Sequence, residues 1–194
     1  MNLQARVKAI LTTPATEWPV IAGESTDVPS LYRDYIVILA AIPPVCGFLG
    51  KSLIGLPFFG RVSPGVALVS GVLTYVVALV GVYIAAWVIE KLAPSFGSSG
   101  DTVQAMKLVA YASTPVWVAG VLNLIPALAM LTIIAGLYSI YLCYLGMTPV
   151  MKTPPDKVVV YMIVAALVVI VINVVLSMII GSLALTGAMG SYGV

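Results

Sequence analysis

The side chains that usually carry enzyme chemistry are scarce in this chain. It contains no histidine, two cysteines and seven carboxylates in 194 residues. Histidine-based general acid–base catalysis, haem ligation and the common zinc sites therefore lack their usual groups. Cys46 and Cys143 lie in apolar runs without C-x-x-C spacing, where a cysteine acts as a small buried hydrophobe. Serines occur, but none has a lysine or aspartate beside it at mid-segment, and no H-E-x-x-H is present. No catalytic, cofactor-binding or metal-ligating residue is assigned, and the chain is expected not to be an enzyme.

What remains is a set of polar groups and prolines inside apolar segments. "KLVAYASTPVWVAGVLNLIP" (Lys107 to Pro126) carries Tyr111, Ser113, Thr114, Pro115 and Asn123. Pro115 removes the backbone bond to Tyr111, and the hydroxyls of Ser113 and Thr114 are close enough to compensate. These residues thus fit a hydroxyl-repaired bend made for packing. They also fit a hinge or the polar lining of a conduit. "IPPVCGFLG" repeats the theme with Pro43 and Pro44, followed by Gly47 and Gly50. Irregular backbone at membrane depth survives only where protein or water covers it. The two broken segments are therefore expected to touch at similar depth, with any pocket between them. Asn173 stands alone in a long uncharged run and is expected to bond to a neighbouring helix or to a solute.

These segments belong to a membrane protein. Hydrophobic residues make up 61% of the chain and charged residues 8%, and mean hydropathy is +1.14. Soluble domains carry roughly a quarter charged residues. The net charge of +2 argues no nucleic-acid partner.

Five stretches reach the ~20 apolar residues a spanning helix needs: Tyr35 to Leu56, Pro64 to Leu92, Thr102 to Leu124, Pro126 to Met147, and Val158 to Thr186. Ser63-Pro64 reads as a helix start, Pro94 and Gly97 as a stop, and Asp101 with Gln104 as a capping pair. The uncharged run from Leu108 to Leu145 would be about 57 Å long as one helix, so it must turn near Asn123 to Pro126. With a cytoplasmic N-terminus, the inner segments hold Arg6, Lys8, Arg33, Lys91, Lys107, Lys152 and Lys157, and the outer ones only Lys51 and Arg61. That bias predicts N-terminus inside and C-terminus outside. The small-xxx-small pairs Ala67/Gly71, Gly81/Ala85 and Ser177/Gly181 suit internal packing or a homo-oligomer equally.

The first 34 residues read as an arm. Leu3, Val7, Ile10 and Leu11 form one stripe beside Arg6 and Lys8, as in a helix lying on the inner leaflet, and Trp18 suits the headgroup layer. The alternative is an arm packed on the bundle. The expected architecture is all-α: an arm over 1–34, a five-span bundle over 35–186 and a short external tail over 187–194. No cleavable signal is expected, because "AIL" after Lys8 is too short a core.

Five spans, a cytoplasmic arm and "VAYASTPVW" resemble the Yip membrane-protein superfamily, the Ypt/Rab-interacting proteins. Its third-span motif is glycine–tyrosine–serine–x–x–proline. Tyr111 and Pro115 match it, Ala110 replaces the glycine, and Ser113 stands one place late. In "SLYRDYI", Leu31 and Tyr32 match the motif before the first span. "LTTPATEWPVIAGE" and "LAAIPPVCGFLG" are similar to "LLSPKTEWPVI" and "LAAIPPV…FIG" of small prokaryotic members. The resemblance implies the Yip fold and topology. Eukaryotic members bind prenylated Rab GTPases, but their acidic cytosolic domain is missing here, so GTPase binding is not carried over. The expected function is a membrane scaffold acting through lipids or other proteins. The rival expectation is a small-solute or ion conduit using the broken spans.

Overall fold

The computed structural model describes residues 2–56, 60–172 and 174. Among these, four helices are long and apolar enough to cross a membrane: Val28–Ile54, Pro64–Phe96, Thr102–Leu124 and Pro126–Met151, here the first to fourth spans. A shorter apolar helix follows at Val158–Ile172. The rest of the expected fifth span, including Asn173 and the Ser177/Gly181 pair, lies outside the described residues. Helix α1 (Leu3–Thr12) and helix α2 (Pro14–Gly23) form the arm ahead of the spans.

Local chemistry explains the boundaries. Asn2 caps α1 by accepting from the Ala5 amide. The first span begins at Val28, seven residues before Tyr35, because Asp27 accepts from the Ser30 amide at 2.8 Å and Pro29 sits in the first turn. The hydrogen bonds from Ser30 hold the Asp27 carboxyl below its ordinary range. The span is interrupted at Ala41 and restarts at Ile42, so Pro43 and Pro44 fall in a first turn, where a missing N–H costs no helical bond. The second span runs over Pro64–Leu92 as expected, although Ser63 makes no side-chain cap bond. It ends in a 3₁₀ turn and at Gly97, whose φ of +70° favours glycine. The third span breaks at Ser113, restarts at Thr114, and tightens into 3₁₀ geometry over Gly120–Leu124. The fourth begins as a 3₁₀ segment, Pro126–Leu131, and continues as Thr132–Met151.

The third span is the bundle's centre. In its most apolar window 61% of residues are buried, against 28% for the first span and 22% for the second. The buried core lies toward the arm: Trp18, Tyr35, Lys107, Leu108, Tyr111, Leu142, Met147 and Tyr161 are all fully enclosed. The outward faces of the second and fourth spans, such as Val69, Leu73, Ile133 and Leu137, are exposed, as lipid contact requires.

The far half is held by close backbone approach. A Cβ on Gly120 would lie 2.8 Å from the Pro43 Cα, and one on Gly50 would collide with the carbonyls of Asn123 and Leu124. The first and third spans thus meet at their broken segments. Of the small-residue pairs, Ala67 is fully buried and Gly71 faces Pro44, whereas Gly81 has nothing near it. Among the described residues, four tyrosines donate to backbone carbonyls across elements: Tyr32 to Leu79 and Tyr75 to Val37, at 2.8 and 2.9 Å, with Tyr138 to Leu11 and Tyr161 to Ile89.

Gly120→Ala is expected to lower the thermal stability of the purified protein by about 1–3 kcal/mol, because Pro43 presents backbone as well as ring atoms. Gly136→Ala, which meets nothing within 4 Å, serves as control. Equal melting temperatures for the two variants in detergent would contradict this packing.

Candidate functional site

Gln104, Lys107, Tyr111 and Thr114 recur at i, i+3, i+7 and i+10, so they share one face of the third span. All four turn toward the arm and the start of the first span. Asp101 accepts from the Gln104 amide at 2.8 Å, which starts the helix. The Gln104 side chain does not close the capping box. Its Nε2 donates instead to the Ala22 carbonyl at 3.2 Å. One turn on, Lys107 is 1% exposed, and its Nζ donates to the carbonyls of Ile21 and Glu24 at 2.9 and 2.5 Å. The last carbonyls of a helix lack intrahelical partners and carry partial negative charge. Lys107 and Gln104 therefore cap the C-terminus of α2 from another element.

The arm supplies the remaining charges. Arg6 donates to both Glu17 and Glu24 and is 7% exposed, and its guanidinium lies 5.7 Å from the centre of the Tyr111 ring. Two cations, Arg6 and Lys107, thus stand with two carboxylates, Glu17 and Glu24, so the cluster is neutral. Trp18 meets Tyr111 edge-on at 6.4 Å between centroids. It also fills the notch at Gly146, where a Cβ would come within 2.8 Å of its ring. Tyr35 packs on Tyr111 at 4.7 Å and shares a 2.7 Å hydrogen bond with Thr114. Beside this cluster is a polar cavity of about 690 Å³, lined by Arg6, Glu17, Glu24, Asp34, Tyr35 and Tyr111 among others.

The interfacial assignments of Arg6 and Trp18 are corrected by this arrangement. Arg6 stands three residues after Leu3 and four before Ile10, within the apolar stripe itself, so docking α1 buries it beside Glu17 of α2 and Glu24 just past that helix. Trp18 lies in the core because the glycine at 146 leaves room for an indole. Lys8 remains exposed. The hydroxyl repair at Pro115 also differs in detail. Ser113 donates to Val109 at 2.8 Å, whereas Thr114 bonds across to Tyr35. Pro115 is buried in the first turn of the restarted helix.

Pro43, Pro44 and Asn123 come together elsewhere. They line a smaller pocket of about 220 Å³ with Lys51, Ser70 and Thr74, and the Asn123 amide reaches the Pro43 carbonyl at 3.5 Å. Sequence reasoning missed Glu17, Glu24, Tyr35 and the seat of Lys107. The i, i+3, i+7, i+10 recurrence of Gln104, Lys107, Tyr111 and Thr114 was the available signal.

The model of the Yip1 domain matches residues 8–189. The chain belongs to the Yip1 domain family. The matched region takes in the second half of α1 and the whole of α2. Over 149 residues the chain is 30% identical to "Inner membrane protein YohC" of Escherichia coli strain K12, covering 73% of this chain and 76% of that protein. The protein of the same name from Escherichia coli O6:H1 strain CFT073 matches to the same extent. No solved structure matches this chain.

Removing Arg6 would leave Glu17 and Glu24 packed together without their cation. Arg6→Ala is therefore expected to destabilise arm docking by about 1–3 kcal/mol, the range for lost hydrogen bonds to charged groups, since both glutamates are partly exposed. Faster hydrogen exchange confined to α1 and α2 is the signature. Unchanged protection there would refute the latch. Tyr35→Phe leaves Thr114 without its partner and is expected to cost about 1 kcal/mol in thermal unfolding.

Proposed function

We propose that this member of the Yip1 domain family is a non-catalytic scaffold of the cytoplasmic membrane that acts by association with lipids or other proteins. The observation that carries the reading is the use made of its buried polar groups. Gln104, Lys107 and Thr114 bond to the arm and the first span, and Arg6 bonds to the arm's own glutamates. Gln104 Nε2, Lys107 Nζ and the Thr114 hydroxyl, which a transporter could offer to cargo, are engaged in holding a cytoplasmic platform and the first span on the bundle. The exposed Lys8 face of that platform is left for partners. The name of the Escherichia coli relative supports the inner membrane as location. The bias of lysine and arginine supports arm and N-terminus inside, C-terminus outside.

One observation favours a conduit as second reading: the pocket of about 220 Å³ under Pro43 and Asn123, at the interrupted part of the first span. Liposome flux separates the two. The reconstituted protein is expected to pass small ions and neutral solutes no faster than protein-free vesicles. Reproducible flux lost in Pro44→Ala or Tyr111→Phe would overturn the scaffold reading. For topology, a C-terminal alkaline phosphatase fusion is expected to be active, and an inactive one with a fluorescent C-terminal cytoplasmic reporter would reverse the assignment.

A further inference from the structure

A groove of about 750 Å³ runs between the second, third and fourth spans and the helix Val158–Ile172. Its walls are mostly apolar. Ile89, Ala112, Met147, Met162 and Ala166 are among its walls. Its size falls in the ~300–1,000 Å³ range of small-molecule sites. The side chains at its lip, including Leu137, Ile140, Val159 and Ile163, are exposed on the membrane-facing surface. A ligand would therefore enter from the hydrocarbon layer rather than from water.

The charge at one end names the ligand. Met147 and Val159 line the groove, and the chain between them holds Lys152 and Lys157. Both lysines are exposed, and neither ammonium has a hydrogen-bond or ion-pair partner among the described residues. Lys152 takes a left-handed conformation, φ 53°, immediately after the fourth span, and the Lys157 ammonium lies 3.7 Å from where a Cβ on Gly97 would stand. Asp156 is the acid between them; Asp101 stands two residues beyond Ser99, whose amide donates to the Met151 carbonyl, and Glu90 is engaged by Lys91 and Thr102. Basic residues in the loop that joins two walls of an apolar inter-helix pocket are the arrangement that holds anionic lipid headgroups.

We propose that this groove binds one acyl chain of a diacyl phospholipid with an anionic headgroup, whose phosphate is held by Lys152 and Lys157. The site makes the lipid half of the scaffold reading specific and rests on that reading for its biological meaning. Its test is independent of flux. The full chain is reconstituted in phosphatidylcholine vesicles containing a minor fraction of phosphatidylglycerol with a photoreactive acyl chain, and the labelled peptides are mapped. A parallel sample carries photoreactive phosphatidylcholine.

Labelling is expected to concentrate on the peptides of Met147 and Met162, with phosphatidylglycerol favoured. Ala166→Trp fills the groove from an exposed position and is expected to abolish that concentration. Lys152→Gln with Lys157→Gln is expected to reduce the headgroup preference by roughly fivefold per lysine. Melting temperatures close to that of the parent confirm that these variants fold. Labelling spread evenly over outward faces such as Val69 and Leu73 overturns the proposal, as does labelling unaffected by Ala166→Trp. Flux through the vesicles would sink the scaffold reading while leaving this site standing.

Discussion

A lysine ammonium shut away from water governs the arrangement of this protein. Lys107 is buried, and the oxygens bonded to it are main-chain carbonyls at the end of α2. An ammonium in an apolar setting must be surrounded by acceptors. The carbonyls at a helix C-terminus are acceptors without intrahelical partners. Each group therefore resolves the other's deficit, and the arm is where it is because its helix end belongs over Lys107. With α2 seated, Trp18 reaches the gap at Gly146, and Glu17 and Glu24 close on Arg6.

The two halves of the bundle are held by different physics. Toward the arm, buried aromatic rings, ion pairs and hydrogen bonds interlock. Away from it, side-chain burial thins, and the first and third spans meet through Gly50, Gly120 and Pro43 with little between their backbones. In lipid the hydrophobic effect does not drive helices together, so close backbone approach is the available cohesion. The prolines serve both ends of this scheme. They interrupt the ladder at places where the neighbouring span lies close enough to cover the exposed backbone.

Much of the architecture was legible in the sequence. The membrane class, the Pro64–Leu92 helix, the Asp101 start, the turn near Asn123 to Pro126 and the meeting of the broken segments all follow from apolar length, caps and prolines. These are local signals, and local signals can be read along one chain. The latch was not legible in the same way. Arg6 and Trp18 look like interfacial residues because charge and amphipathic rings are common there, and what buries them is a partner 11 to 128 positions away: Glu17 for one, Gly146 for the other. The first span's early start at Val28 was missed for a simpler reason. Arg33 and Asp34 read as polar flank, yet they pair with one another on the surface of a continuous helix.

The tyrosine-to-carbonyl bonds have a consequence for how the spans stay aligned. Apolar flanks in hydrocarbon distinguish poorly between one lengthwise offset and the next, since a helix slid by a turn presents much the same greasy surface. A phenol that must find one carbonyl does distinguish them. Tyr32, Tyr75 and Tyr161 each fix the axial offset of one helix against another, and Tyr138 does so for the arm. They act as detents against sliding, a mechanical role that neither charge nor shape supplies in these segments.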